Sequence, residues 1–246
     1  MPLLIDVLER TRVLHGVLTL QRLERMLQIY RTWINVPGVE GGFALTRDEF
    51  ECVLEYPPQQ AHVDFLFATF QTESVQRVDL LTLLTSATLL CQGSLEAKAK
   101  FIFSLVDLDL EDDLVEEELA LVVSTCSNGL QRLGVHSETL LELDALAIAY
   151  EAFEFVDIED GGKMSFPLFL KWCVFHERPR ALFERISFMF SMSNVVVLLH
   201  EMLQQQRNLP LSSPFHRYNA VHFGELNEEI EQISVVVGPI IGKVRH

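Results

Sequence analysis

One stretch of the chain is unusually rich in oxygen donors: residues 107–118, DLDLEDDLVEEE, hold eight carboxylates in twelve residues. An apolar stripe at helical spacing precedes this run, and the apolar segment LALVV follows it. Residues 37–175 contain seven basic and 25 acidic side chains, a balance of −18, whereas the whole chain carries −16. The run is therefore either a solvated acidic loop or a site for a hard divalent cation, which prefers clustered oxygen ligands.

The spacing within this run matches the calcium loop of an EF-hand, which takes side-chain oxygens from positions 1, 3, 5 and 12 and a carbonyl from position 7. Counted from the first aspartate, apolar Leu114 falls at position 8. The candidate Ca²⁺ ligands are Asp107, Asp109, Glu111, Asp113 and Glu118. Two residues weaken the match, because Asp112 replaces the usual glycine at position 6 and Val115 offers no polar side chain at position 9. Asp112 is expected in a left-handed conformation, which aspartate tolerates better than most residues.

The same pattern returns at residues 157–168, DIEDGGKMSFPL, again between two apolar stripes. Asp157 and Glu159 are candidate ligands here, but position 5 is a glycine and position 12 a leucine, so only weak binding is expected. Gly162 at position 6 is expected to have a positive φ.

Two further copies lack the acidic residues: QTESVQRVDLLT at 71–82, and a longer loop that begins at Asn35. All four copies keep an apolar residue at position 8, namely Leu45, Val78, Leu114 and Met164. A repeat of this size indicates one helix–loop–helix unit that buries its apolar face against another copy. We therefore expect the first copy to pair with the second and the third with the fourth.

These copies resemble the EF-hand superfamily, and specifically its neuronal calcium sensor and calcineurin-B-like branch, over about residues 20–175. The stretch GSLEAKAKFIFSLVDLDLEDDLVEEEL and Pro37 in the first loop carry the resemblance. The resemblance implies an all-α fold of four EF-hand units in two pairs. The implied parts are an N-terminal helix at 1–18, a first pair at 19–92 with both loops degenerate, a second pair at 93–175 and a C-terminal helical extension at 176–246. The chain departs from the sensors at Pro2, where N-myristoylation needs glycine, so no myristoyl group is expected.

The resemblance leaves two functional interpretations. A sensor opens its helix pairs when calcium binds. With at most one good loop of four, the array is expected to stay in one state, as a non-enzymatic scaffold that binds a partner helix or the surface of a larger assembly largely without calcium. The alternative is a calcium sensor or regulatory subunit that switches through the 107–118 loop. The extension either covers the chain's own apolar groove, docks on another protein or belongs to the core.

Other functional classes are disfavoured by composition and motifs. The motifs G-x-G-x-x-G, G-x-x-x-x-G-K-[ST] and H-E-x-x-H are absent, so no enzymatic activity is expected. The negative charge disfavours binding to nucleic acid, and no apolar run reaches the roughly 18 residues of a membrane span. Four separated cysteines without a C-x-x-C pair indicate reduced thiols and a cytoplasmic location. A cytoskeletal or ciliary setting follows only by analogy with other degenerate EF-hand proteins.

Overall fold

The computed structural model describes residues 18–34, 43–54, 60–72, 76–107, 111–135, 142–159, 161–183 and 186. This part is mostly helical, in agreement with the all-α class expected from the sequence. The helix predicted at 1–18 (except Leu18), most of the first loop and residues 187–246 lie outside the described residues.

The helices are α1 (Leu20–Ile34), α2 (Arg47–Leu54), α3 (Gln60–Phe70), α4 (Leu80–Leu90), α5 (Leu95–Val106), α6 (Glu116–Arg132), α7 (Glu142–Phe155) and α8 (Phe166–Phe175). The short strands are β1 (Ala44–Leu45), β2 (Gln71–Thr72), β3 (Arg77–Asp79), β4 (Asp113–Leu114) and β5 (Met164–Ser165). Within this set, no helix is both long enough and apolar enough to cross a bilayer.

Local sequence explains where these helices begin. Ser94 accepts a hydrogen bond from the Ala97 N–H at 3.2 Å and caps α5. Thr46 and Glu49 cap α2 reciprocally: the Thr46 N–H donates to the Glu49 carboxylate at 2.6 Å, and the Glu49 N–H approaches the Thr46 hydroxyl at 3.4 Å. In both caps a Ser or Thr bonds to the residue three positions further along the chain, which is the spacing expected at a helix N-terminus.

Short antiparallel strands pair the first loop with the second and the third loop with the fourth. β1 pairs with β3 and places Leu45 opposite Val78, while β4 pairs with β5 and places Leu114 opposite Met164. All four of these side chains are buried. The apolar residues that recur at position 8 therefore form two facing pairs in the interior.

Helix α4 is central to the packing, since all eleven of its residues are buried. Most of its buried hydroxyls donate to carbonyl groups of the same helix; the Ser86 hydroxyl, for example, donates to the Thr82 carbonyl at 2.6 Å. The Thr82 hydroxyl donates to the Asp79 carboxylate, just before the helix, at 2.6 Å. Gly129 of α6 lies directly against this surface, where an added Cβ would stand 2.5 Å from Ser86 Cβ and 2.9 Å from the Thr82 carbonyl oxygen. One continuous core therefore spans both predicted pairs.

The sequence CSNGLQRLGVHS at 126–137 predicts a loop between the third and fourth copies, and this prediction is wrong for its first seven residues, because α6 continues to Arg132. Asparagine and glycine suggest a helix break there. The buried residues Cys126, Gly129 and Leu130 instead pack within the core, and this burial outweighs the weak helix propensity. Directly after the end of α6 at Arg132, Gly134 adopts φ +76° and the Val135 N–H bonds to the Leu130 carbonyl at 2.9 Å.

Candidate functional site

Asp107 is the first residue of the acidic loop. It follows the last residue of α5 and is only 4% exposed. Its two carboxylate oxygens accept the backbone N–H groups of Glu111 and Asp112, at 3.1 and 3.2 Å. Asp112 has φ +61°, so the expectation that this residue is left-handed is confirmed.

The opposite loop supplies a cation to the acidic loop. The Lys163 ammonium bonds to the Glu111 carboxylate and lies 3.1 Å from an Asp113 oxygen. The hydrogen bond to Glu111 makes the largest contribution and the one to Asp113 the next; together they raise the pKa of Lys163 above its ordinary value, so the ammonium stays charged. One of the predicted calcium ligands, the Glu111 carboxylate, therefore already has a positive partner from the same chain.

Glu118 lies in the first turn of α6, where its carboxylate accepts the Val115 N–H at 3.1 Å. Glu116 and Glu117 share this turn, and negative charge is favourable at a helix N-terminus. The acidic run thus has a structural use in starting α6, whether or not a metal binds. Asp109 lies outside the described residues.

Geometrically, the described part of the chain contains no group of three or more His, Cys, Asp or Glu side chains placed to hold a metal ion. Asp107, Glu111, Asp113 and Glu118 all belong to one loop but are directed to amides and to Lys163. The sequence reasoning missed Lys163. The sequence does contain a signal for this residue: Lys163 directly precedes the position-8 residue Met164, just as Asp113 directly precedes Leu114, so the two residues occupy the same position of the repeat.

The loop at 157–168 has a different beginning. Asp157 has φ +69°, and the Ile158 N–H bonds to the Phe153 carbonyl at 3.0 Å, so Asp157 ends α7 as a left-handed cap. Asp157 and Glu159 are both exposed. Asp157 therefore differs from Asp107, which is buried and accepts two N–H groups of its own loop.

The expected positive φ at Gly162 is wrong, since the left-handed glycine of this loop is Gly161, with φ +76°. Gly162 is required for a steric reason instead. A Cβ at this position would lie 2.5 Å from Ile158 Cγ2 and 2.9 Å from the Glu159 carbonyl oxygen. Close backbone packing, not backbone handedness, explains the glycine.

A second candidate site is an apolar cavity of about 390 Å³ bounded by α5, α6, α7 and α8. Its wall includes Ile102, Leu130, Phe169, Trp172 and two cysteines, Cys126 and Cys173. Burial raises the pKa of the Cys126 thiol to about 12 and raises that of Cys173 as well. The Trp172 Nε1–H is buried and has no acceptor among the described residues.

The beginning of the C-terminal extension, residues 177–183 and 186, forms part of the wall of this cavity. Residues 177–183 are helical. Leu182, Phe183 and Ile186 line the cavity, and Ile186 is only 3% exposed. The segment is anchored at its start by Glu151 of α7, which lies 3.1 Å from Arg178 and 3.5 Å from His176.

Comparison with protein-family models gives no match, and comparison with curated proteins gives none either.

Proposed function

We propose that this chain is a non-enzymatic scaffold of degenerate EF-hand units that holds a protein partner largely without calcium. The partner is an amphipathic helix or the surface of a larger assembly, and a cytoskeletal or axonemal assembly is the setting that analogy favours. The observation that carries the proposal is the Lys163 ammonium on Glu111 and Asp113. This exposed cation of the same chain takes part of the role that Ca²⁺ has in a sensor.

The packing between the two halves supports the same conclusion. Opening a pair would require its helices to move apart. Here α4 is buried along its whole length, and Gly129 brings α6 against it without room for a Cβ. Arg31 of α1 also donates to the Ser104 carbonyl of α5, and Arg132 donates to the Gln71 carbonyl at 3.1 Å. Movement of one pair would disturb contacts with the other.

A calcium sensor that switches through residues 107–118 is the second candidate, because part of the loop geometry suits it. Asp112 has the left-handed conformation expected at position 6, and the Asp107 carboxylate at position 1 accepts the Glu111 N–H of the same loop. In this alternative, Ca²⁺ would have to displace Lys163 from Glu111.

Calcium titration of the full chain separates the two candidates. Heat is recorded by calorimetry, and fluorescence of Trp33 and Trp172 is followed in parallel. The scaffold predicts no transition at micromolar calcium. A saturable transition that Glu118→Gln abolishes would instead establish the sensor, since position 12 supplies the bidentate ligand.

Partner capture tests the scaffold directly. Affinity purification from the native source, once with calcium and once with a chelator, should recover the same defined partner in both. Phe175 is 67% exposed and lies at the end of α8, so it is a reasonable contact residue to vary. Loss of the partner in chelator would contradict the proposal, whereas weaker recovery with Phe175→Ser would locate the interface.

A further inference from the structure

The apolar cavity between α5, α6, α7 and α8 has the features of a site for a small molecule. We propose that it binds an uncharged, apolar molecule with one hydrogen-bond acceptor, and that the Trp172 Nε1–H is the donor to that acceptor. The residues that line this cavity are separate from the acidic loop at 107–118. The inference therefore does not depend on the proposed scaffold function.

The first argument is the size of the cavity. Protein interiors are packed so closely that few voids exceed the size of a water molecule. Each of the four helices nevertheless contributes a large apolar side chain to this wall, namely Ile102, Leu130, Ile148 and Phe169. An apolar cavity of about 150 Å³ holds one benzene molecule. A volume of about 390 Å³ therefore suits two or three such rings, or about 12–18 carbon atoms.

The second argument is the charge of the wall. Arg178 is the one charged side chain among the described residues that line the cavity. This side chain is 60% exposed, and its Nε lies 3.1 Å from the Glu151 carboxylate, so its charge is already matched. The thiols of Cys126 and Cys173 are uncharged at neutral pH, because burial raises the pKa of both. An ionic ligand would lose its hydration here without gaining an unpaired opposite charge, so the wall favours an uncharged molecule.

The third argument is the polar group that the wall presents. The Trp172 side chain is only 5% exposed, and its Nε1–H has no acceptor among the described residues. The indole ring packs against Phe169 at 5.9 Å and against His176 at 6.2 Å between ring centroids, so it is held by two neighbours. An indole N–H can only donate, and its burial without an acceptor is unfavourable. A ligand with an acceptor oxygen removes this penalty, whereas a pure hydrocarbon does not.

Water is a less suitable occupant than such a ligand. A buried water molecule needs about two to four polar partners, and most of this wall is apolar. The apolar body of a ligand instead gains free energy by leaving water, while its acceptor bonds to Trp172. Ketones, esters and amides of the stated size combine both properties.

The test uses the full chain and the probes benzophenone and diphenylmethane. Both probes have two phenyl rings and the same number of carbon atoms, but only benzophenone has a carbonyl oxygen between the rings. Binding is measured by equilibrium dialysis. Benzophenone should bind about tenfold more tightly than diphenylmethane, because it alone can accept the hydrogen bond of an otherwise unpaired buried donor. A third probe, para-benzoylbenzoate, adds a carboxylate to benzophenone and should bind more weakly than benzophenone.

The two tryptophans of the chain supply the variant and its control. Trp172→Phe keeps an aromatic ring in the wall but removes the N–H, so the preference for benzophenone over diphenylmethane should disappear. Trp33→Phe changes a tryptophan of α1 that does not line the cavity, so the preference should remain. Circular dichroism shows whether each variant is folded.

Photolabelling of the wild type decides the matter if Trp172→Phe does not fold. On irradiation, the benzophenone carbonyl abstracts a hydrogen atom from a nearby C–H group and becomes a hydroxyl, and the two carbon radicals combine to form a C–C bond. Mass spectrometry of the digested protein should find this adduct at residues that line the cavity, such as Ile102, Leu130 or Ile148.

Four results would overturn the proposal. Failure of benzophenone to bind at its solubility limit would show that the cavity is closed to ligands in the full chain. Equal binding of benzophenone and diphenylmethane, or an unchanged preference in folded Trp172→Phe, would remove the indole N–H from recognition. Tighter binding of para-benzoylbenzoate would contradict the uncharged ligand, and photolabels confined to other parts of the chain would place the probe elsewhere. None of these measurements involves calcium or a protein partner, so this inference can fail while the proposed scaffold function stands.

Discussion

The contact between Gly129 and α4 offers the sharpest test of the packing, through the substitution Gly129→Ala. Alanine is the better helix former, and inside α6 the exchange would by itself stabilise the protein by about 1 kcal/mol. The new methyl group, however, would stand 2.5 Å from Ser86 Cβ and 2.9 Å from the Thr82 carbonyl oxygen. Neither atom is at the end of a flexible side chain, so the two helices must separate.

The size of the effect follows from these two opposing contributions. Overpacking of a tight interior costs about 1–3 kcal/mol, and contacts this short belong in the upper part of that range. After the gain in helix propensity, we expect the free energy of unfolding to fall by about 1–2 kcal/mol. For a chain of this length that corresponds to a Tm lower by about 2–8 °C.

The assay is urea unfolding followed by circular dichroism, with two further variants. Asn128→Ala lies next to the glycine in the same helix and is only partly buried, so it should be neutral or slightly stabilising. Ser86→Gly removes the atom nearest to the new methyl group, so it should rescue part of the loss when combined with Gly129→Ala. A stabilising effect of Gly129→Ala, or strictly additive effects of the two substitutions, would refute the close approach of α4 and α6.

Three further measurements address the capping of α2, the thiols and the acidic loop. The hydrogen bond from the Thr46 N–H holds the pKa of Glu49 below its usual 4.5, so its contribution to stability is complete above that pH and is lost as the pH falls through the lower folded pKa. Glu49→Ala should therefore cost about 1 kcal/mol at neutral pH and less in acid; urea unfolding that shows the same cost at both would contradict this reasoning. One thiol per folded chain, the exposed Cys52, should react rapidly with a thiol reagent, and rapid reaction of all four would be incompatible with three buried cysteines. Lys163→Met should strengthen any calcium binding measured by calorimetry, whereas Lys171→Met should not; equal effects of the two would mean that only net charge matters.

The helices and the loop pairs were predictable because they depend on local spacing. The stripe that ends at Val106 is buried as expected, and the apolar residues at position 8 do face each other across the strand pairs. These features need only the helical period and a repeat that pairs with itself. The all-α class follows from the same pattern.

The features that were missed depend on residues distant in sequence. Lys163 reaches Glu111 over a separation of 52 residues, and only its position in the repeat, directly before Met164, points to that contact. Gly129 looks like a helix breaker until α4 is placed beside it, and Gly162 looks like a turn residue until its neighbours are placed around it. In each case the tertiary environment determines the role of the residue.

The burial of α4 has a consequence for how the protein comes apart. Because this helix supplies interior surface to both halves, neither half has a complete interior of its own. Fragments cut between α4 and α5 would each expose a wide apolar face and would be expected to reassociate rather than remain soluble as independent modules. Heat or denaturant should accordingly dismantle the described part in one cooperative step, without a stage at which one half survives alone.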